Sequence, residues 1–385
     1  MDQQNNLGNR ERLLWVTDTF GEHNGVSTVL GAVLTEIRLR DLPVDLMVCS
    51  QTLVSGEHLI VVPQVAEFTL PLYRHQPFRI PNYLAVQRAF RRGGYSRIMC
   101  STEGPLGMAA LWLKKRFGAE TFFFLHTDWL MFAREVLGFE DAGIRKLERI
   151  LRAYYRQFSK VFVLNREHQG WLTRRRMGFA AHDVCLTAHW ADPIFSTYGN
   201  GVKPGFPFDA ERPVVLYTGR ISREKGVMDL PRVMEEVRNF FPEVQLVVAG
   251  TGPAESDLKA ALPEAVYLGW VGHEDLPGLY RSADLLLLPS RFDTFSCVVL
   301  EALSSGLPVI AYNTKGPRDI LDNSGCGYLV ETPEEMAGKI ISYFLDVEGR
   351  TTMRSAAFKR AGEYKPADIM DRLLADAGVI NEKRQ

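Results

Sequence analysis

Pro289 to Ala302 reads PSRFDTFSCVVLEA. An apolar run, DLLLLPS (284–290), leads into it and has the composition of a buried parallel strand. The strand should end at Ser290, and a helix is expected to begin near Thr294 to Ser296. Asp and Thr cap helix N-termini well, and SCVVLEALSSG then keeps a helical period. Asp293 would stand at the helix mouth and Glu301 two turns further in. Free backbone N–H groups and the positive end of the helix dipole suit such a mouth to an anion, a diphosphate for example. Taken alone, the segment reads equally well as an acidic N-cap with a helix-face glutamate, and that plainer reading is preferred until other residues join it.

Working outward, the same strand-then-helix unit recurs. VVLYTGR (214–220), VQLVVAGTG (244–252), AVYLGWV (265–271) and LPVIAY (307–312) accompany DLLLLPS, with helical spacing between them. Ahead of a Gly- and Pro-rich loop, GNGVKPGFPFDAERP (199–213), the pattern runs through RLLWVTDTF (12–20), VDLMVCS (44–50), SRIMCST (96–102), TFFFLHTD (121–128), KVFVLNRE (160–167) and DVCLTAHW (183–190). The fold class is α/β: two Rossmann-like, doubly wound domains, 1–203 and 204–365, whose sheets present their carboxyl ends to a cleft. The segment 366–385, with its own helical period in PADIMDRLLADAG, is a candidate to pack back on the first domain.

The chain has 385 residues, enough for two cores, with ordinary apolar (46%) and charged (24%) fractions that exclude disordered and fibrous classes. Residues 1–205 hold 25 Lys+Arg against 19 Asp+Glu, net +6, and the remaining 20 against 27 leave the second half at −7. A basic half suits an anionic membrane surface or substrate, although a solvated basic face is commoner. Five scattered cysteines, Cys49, Cys100, Cys185, Cys297 and Cys326, read as reduced thiols. MDQQNNLGNRER lacks the apolar core of a signal peptide, and no stretch is apolar enough to span a membrane, so a cytoplasmic location is expected. The eight histidines show no ligand spacing, so no metal is expected, and no basic-aromatic motif suggests nucleic acid.

GRISREKG (219–226) changes the standing of the opening segment. Arg220 and Lys225 fall at the carboxyl end of the second domain's first strand, where fixed cations stabilise charge developing on a departing phosphate. By themselves they are ordinary surface charges; with the acidic helix mouth in the same sheet, the phosphate reading is the better one.

GRISREKG, VVAGTGP, LGWVGHEDLPGLYRSAD, PSRFDTFSCVVLEALSSGLPVIA, KGPRDIL and GYLV resemble, in order and spacing, the motifs of the GT-B glycosyltransferases of family 4. Asp293 and Glu301 fall on the family's Glu-x7-Glu element. The resemblance implies that Asp293 contacts hydroxyls of a donor sugar and that Glu301 holds the nucleotide ribose. Gly219, Gly250, Gly252, Val271, Thr294, Phe295 and Ser296 fall within these motifs and are carried over as donor-binding positions. Asp-Thr-Phe-Ser stands where Glu-Gly-Phe-Gly is usual, a form similar to a subgroup that includes glycolipid mannosyl- and sulfoquinovosyltransferases. Ser296 replaces a glycine whose backbone approaches phosphate.

In the first domain VTDTFGEHNGVST (16–28) resembles the family's first loop, which implies that Asn24 and Gly25 meet the donor phosphates; a plain strand-to-helix turn would equally want Asn-Gly. FLHTDW (124–129) puts His126 where the family has a histidine that bonds the donor sugar, with Asp128 and Trp129 as acceptor candidates. LTAHWADPIF (186–195) takes the place of the Arg-Gly-Val-Asp turn but lacks the Arg, so no catalytic role is carried onto it. IRKLERILRAYYRQF (144–158) is an amphipathic basic helix suited to anionic lipid, or equally a helix packed on its own sheet.

The resemblance implies a retaining transfer from a nucleotide sugar, UDP by default and GDP next, with no metal. Arg220 and Lys225 would draw off the diphosphate and the acceptor hydroxyl would enter on the same face. The acceptor is read as a lipid or lipid-linked hydroxyl, with the protein peripheral on the inner membrane face. A soluble sugar or polysaccharide acceptor, or a non-catalytic nucleotide-binding protein of the same fold, are the alternatives.

Overall fold

LLWVT, the strand β1 (Leu13–Thr17), is buried at every residue. An unbroken apolar run of this kind is what a parallel strand covered on both faces requires. The computed structural model describes residues 11–22, 25–70, 73–197, 205–209 and 211–381. Around β1 stand β2 (Val44–Cys49) and β3 (Leu59–Val62); a hairpin of β4 (Gln64–Leu70) and β5 (Tyr73–Pro81) follows, and then β6 (Arg97–Cys100), β7 (Glu120–Leu125), β8 (Lys160–Val163) and β9 (Val184–Leu186). The seven-stranded sheet runs β3-β2-β1-β6-β7-β8-β9, parallel throughout, and the antiparallel β4–β5 pair stands apart from it. All six strands expected in this half are present. HLIVV (58–62) and the hairpin were not expected.

The second sheet is built from β10 (Val214–Thr218), β11 (Gln245–Ala249), β12 (Val266–Gly269), β13 (Leu285–Leu288), β14 (Val309–Tyr312) and β15 (Gly327–Val330), in the order β12-β11-β10-β13-β14-β15, again all parallel. The reversal of strand order beside β10 makes its carboxyl end a topological switch point, the place where such sheets bind ligands. GYLV, which becomes β15, supplies a sixth strand beyond the five expected.

Two compact units result, one reaching to Ala188 and taking in the chain from Pro366, the other His189–Lys365. The division falls ahead of the boundary at residue 203 drawn from the Gly- and Pro-rich loop. Packing explains the difference: the His189 ring meets Phe295 edge-on at 5.1 Å, and Phe195 meets Tyr280 at 5.7 Å while its carbonyl accepts from Arg281 Nη2 and Ser305 Oγ. The helix Pro366–Asp376 joins the first unit. It buries Ile369, Met370, Leu373 and Leu374, Asp371 pairs with Arg40, and Lys160 Nζ donates to the Asp376 carbonyl at 2.7 Å.

Candidate active site

In the second unit the loops after β10, β11 and β12 lie backbone against backbone. Gly250 N–H donates to the Gly269 carbonyl at 2.7 Å, and Ile221 N–H to the Thr251 carbonyl at 3.0 Å. A Cβ on Gly250, whose φ is +140°, would fall 1.9 Å from the Gly219 carbonyl oxygen. Glycine is therefore required here by the fold itself, whatever it offers a ligand. Arg220 follows, exposed, and among the described residues its side chain has no hydrogen-bond or ion-pair partner. Lys225 closes the short 3-10 turn Arg223–Lys225, and its Nζ reaches Asp293 Oδ1 at 2.7 Å. Arg220 and Lys225 from GRISREKG and Asp293 from PSRFDTFSCVVLEA thus share one sheet edge.

Asp293 is half-spent. Its Oδ1 holds Lys225, whereas Oδ2 is buried with no hydrogen-bond partner. A buried, unpaired carboxylate oxygen is costly in a finished fold and is expected where a ligand hydroxyl completes the site. The carbonyl of the same residue accepts the Gly316 N–H at 3.2 Å, and a Cβ on Gly316 would lie 2.6 Å from the Phe295 carbonyl, which fixes the loop against the next strand's turn.

The helix begins at Cys297, with Ser296 as its N-cap, and runs to Ser304. Glu301 therefore sits one turn in, not two, because the turn before the helix extends through Ser296, whose side chain makes no capping bond. Ser296 holds φ +80°, a left-handed conformation unusual for any residue with a Cβ. Such strain costs about 1–2 kcal/mol, and glycine's extra chain entropy offsets about half of that. Ser296→Gly is accordingly expected to stabilise the protein by roughly 0.5–1 kcal/mol. A lower urea midpoint for the variant would contradict it.

Glu301 is positioned by a residue that motif reading did not single out. Tyr280 OH donates to Glu301 Oε2 at 2.8 Å and meets Thr218 Oγ1 at 2.9 Å. Burial raises the Glu301 carboxyl above its ordinary value, an effect opposed by the Tyr280 bond and by His273. His273 is anchored in turn, against Phe195 at 5.4 Å and Asp192 Oδ2 at 3.3 Å. LTAHWADPIF, to which no catalytic role was given, thus supplies the packing behind Glu301.

In the first unit His126 directly follows β7, with its ring on Phe124, centroids 4.3 Å apart, and its Nε2 3.2 Å from Ser101 Oγ, which also takes the Trp15 indole N–H. Burial pushes its pKa down to about 3, so the imidazole is neutral at physiological pH. Asp128 is occupied structurally: Oδ1 caps the helix Trp129–Glu135 through Met131 N–H at 2.9 Å, and Oδ2 meets His168 at 3.2 Å. Asn24 lies outside the described residues. Gly25 opens the helix Gly25–Arg40, and a Cβ there would touch nothing, so the fold does not itself demand glycine at this position.

Two carboxyls at this edge had no motif to announce them. Asp18, directly after β1, takes Thr102 Oγ1 at 2.6 Å and the Leu106 N–H at 2.9 Å. Glu103, after β6, takes the Tyr155 hydroxyl at 2.6 Å and lies beside the Trp129 indole. Burial pushes Asp18 up to about 6 and Glu103 up to about 7, so both exchange protons near neutral pH. The signal available in the sequence was their position just beyond a strand's carboxyl end. Among the described residues no group of three or more His, Cys, Asp or Glu is placed to hold a metal ion.

Residues 23–193 match the family described as Glycosyltransferase Family 4, and residues 203–360 match Glycosyl transferases group 1. The chain belongs to glycosyltransferase family 4. Relatives of this family 4 chain include the sulfoquinovosyl transferase SQD2 of Arabidopsis thaliana, 34% identical over 164 residues, 40% of this chain and 31% of that protein. The α-D-kanosaminyltransferase of Streptomyces kanamyceticus is 31% identical over 182 residues, 45% of this chain and 46% of the relative. The matches span less than half the length of these curated relatives. Similar folds are sucrose-phosphate synthase from Thermosynechococcus elongatus (TM-score 0.73, 18% identity, 94% of this chain and 97% of the other) and Anabaena HepE in complex with UDP (TM-score 0.72, 17% identity, 96% and 100%). The fold class is GT-B, with two parallel-sheet α/β units.

Proposed function

We propose that this chain is a retaining hexosyltransferase that moves a sugar from a nucleotide-sugar donor, UDP-linked by preference, to a lipid or lipid-linked hydroxyl. The observation that carries the reading is the pairing of Lys225 with Asp293 beside an unpartnered Arg220, with Asp293 Oδ2 buried and unsatisfied. Such a site offers cations to a diphosphate and an acceptor to a sugar hydroxyl, and the relatives of known activity transfer sugars.

In the mechanism we favour, the bond between the anomeric carbon and the diphosphate oxygen breaks, and its electron pair leaves with the phosphate. Arg220, Lys225 and the N-terminus of the helix Cys297–Ser304 stabilise that charge. Asp293 Oδ2 takes a donor-sugar hydroxyl, and Glu301, held by Tyr280, takes the ribose hydroxyls. The acceptor oxygen bonds to the same face of the oxocarbenium-like centre, and its proton passes to the leaving phosphate. His126, neutral at physiological pH, can donate to or accept from a sugar hydroxyl without adding charge. Asp18, Glu103 and Trp129 are assigned to the acceptor. Product anomericity by NMR tests the route, and an inverted linkage would remove it. Thermal-shift titration with UDP-, GDP- and ADP-sugars tests the donor: the bound nucleotide raises the melting point, and a flat response to all three sinks the reading.

The lipid side rests on the outer surface of the helix Asp141–Tyr155. Its apolar stripe is committed to the core through Leu151 and Tyr155, so lipid would meet the other face. That face exposes Arg145, Lys146, Arg149 and Ile150, with Val136 and Phe139 also exposed nearby in sequence. Basic side chains interleaved with exposed apolar ones suit an anionic bilayer surface. Flotation with anionic liposomes should carry the protein at low salt and release it at high salt. Protein that stays at the bottom of the gradient at low salt would favour a soluble acceptor.

A further inference from the structure

The two segments that carry the Lys225–Asp293 pair meet again a few residues away. Gly226, at φ +69°, lies so close to the other segment that a Cβ would fall 1.9 Å from the Pro289 carbonyl oxygen. Further along the same turn, Asp229 Oδ2 accepts the Tyr312 hydroxyl at 2.7 Å and meets Arg291 Nη2 at 3.3 Å. The Arg291 guanidinium lies over the Tyr312 ring, 4.1 Å from its centroid, which closes a triangle of three side chains. Asp229 comes from the turn after β10, Arg291 from the turn that carries Asp293, and Tyr312 is the last residue of β14.

Asp229 also forgoes a bond that its position offers. It is the N-cap of the helix Leu230–Arg238, where an aspartate ordinarily accepts from a free backbone N–H of the first turn, and its side chain makes no such bond. The carboxylate is turned instead to side chains of two other segments. Burial and that carboxylate push the Tyr312 hydroxyl above its ordinary value, so it stays protonated and donates. Arg291 is exposed, and an isolated surface ion pair would hold it weakly. Here the ring beneath it adds a second hold.

We infer that Asp229 is a positioning residue: with Tyr312 and Arg291 it fixes the turn that carries Asp293, and so sets where the donor-sugar hydroxyl is met. This rests on the nucleotide-sugar reading above. Asp293 lies between β13 and the helix Cys297–Ser304, in a stretch with neither strand nor helix of its own, so its placement depends on what ties that stretch down. Arg291 is the tie on its amino-terminal side. Arg220 and Lys225 precede Asp229 on their own segment, so a diphosphate is met without the triangle.

The test measures by calorimetry the affinity of the full chain for UDP-glucose, GDP-mannose and ADP-glucose, each beside its free nucleoside diphosphate, in wild type, Asp229→Ala, Asp229→Asn and Tyr312→Phe. In Asp229→Ala the expected result is a loss of about tenfold for the nucleotide sugar that wild type binds, the scale of one hydrogen bond to a charged group, with the free diphosphate bound as in wild type. Asp229→Asn keeps an oxygen for the Tyr312 hydroxyl and should recover part of the loss. Tyr312→Phe keeps the ring under Arg291 and removes only the hydroxyl, so it should show a smaller loss of the same kind, and it carries the test if Asp229→Ala melts early. In an Asp293→Asn background, Asp229→Ala should lose nothing further. Unchanged nucleotide-sugar affinity in Asp229→Ala and Tyr312→Phe overturns the positioning role and leaves the donor site standing. An equal loss for the free diphosphate, or the same loss again in the Asp293→Asn background, also overturns it, as the effect would then not pass through Asp293. Wild-type protein that binds a diphosphate but none of the three nucleotide sugars overturns the inference and leaves the diphosphate site; protein that binds none of the six overturns the nucleotide-sugar reading with it.

Discussion

Arg220→Ala/Lys225→Ala is expected to lower sugar transfer and acceptor-independent donor hydrolysis alike by about three orders of magnitude. Both reactions break the same bond, and in the proposed mechanism both cations act on the oxygen that takes its electrons. Removing one fixed donor from a site of developing negative charge typically loses 10²–10³ in kcat, and residues that act together lose less than the product of their separate effects. Lys225 has a second duty that must be separated from the first. Without it, Asp293 keeps a carboxylate of which both oxygens are then unpaired, an arrangement that destabilises the fold by about 1–3 kcal/mol. Lys225→Ala/Asp293→Asn removes that uncompensated charge, so it should melt nearer the wild type than Lys225→Ala while remaining inactive. Equal hydrolysis by wild type and by the Arg220/Lys225 double variant would identify a nucleotide-binding protein that performs no transfer.

The residues of this site differ in how visible they were before the fold was known. Arg220, Lys225 and Asp293 lie just past β10 and β13, and a strand end is legible as the last residue of an apolar run. Tyr280 is not legible in that way. It lies inside a helix, its apolar ring is buried, and only the bond to Glu301 gives its hydroxyl a purpose. Glu103 and Asp18 are single carboxyls with no partner at a fixed spacing, so only their burial distinguishes them from any loop acid.

The fold shows the same division. The strands lying in the apolar runs read from the sequence are present, including the three-residue β9 and the four-residue β6, β8, β12, β13 and β14, whereas β3 and β15, also four residues each, were not expected, so length alone does not separate them. The domain boundary was misplaced because Gly and Pro mark where a chain is free to turn. The residues 189–197 change sides earlier because Phe195 and His189 find their packing in the second unit.

Glu103→Gln is expected to stabilise the protein at pH 8 and to reduce transfer at the same time. The Glu103 carboxyl sits among Tyr155, Trp129, Tyr154, Cys100 and Asp18, and no cation faces it in this group. Burial raises it from 4.5 in the unfolded chain to about 7. Between those values the native state binds more protons than the unfolded state, so stability falls as pH rises through that window and stays low above it. At 1.36 kcal/mol per pH unit the full deficit is on the order of 3 kcal/mol. Glutamine keeps an oxygen to accept the Tyr155 hydroxyl but cannot ionise, so the variant should match wild type near pH 4.5 and exceed it by up to that amount at pH 8. Urea midpoints at the two pH values measure this directly, and a wild-type midpoint that does not fall between them would refute it. A carboxyl kept at such a site, where an amide would be more stable, implies a use for its charge. That use is expected in the transfer reaction: Glu103→Gln should lose about tenfold or more in transfer while donor hydrolysis without acceptor is unchanged, because a residue assigned to the acceptor has no part in breaking the donor bond. An equal loss in both reactions would move Glu103 from the acceptor to the donor.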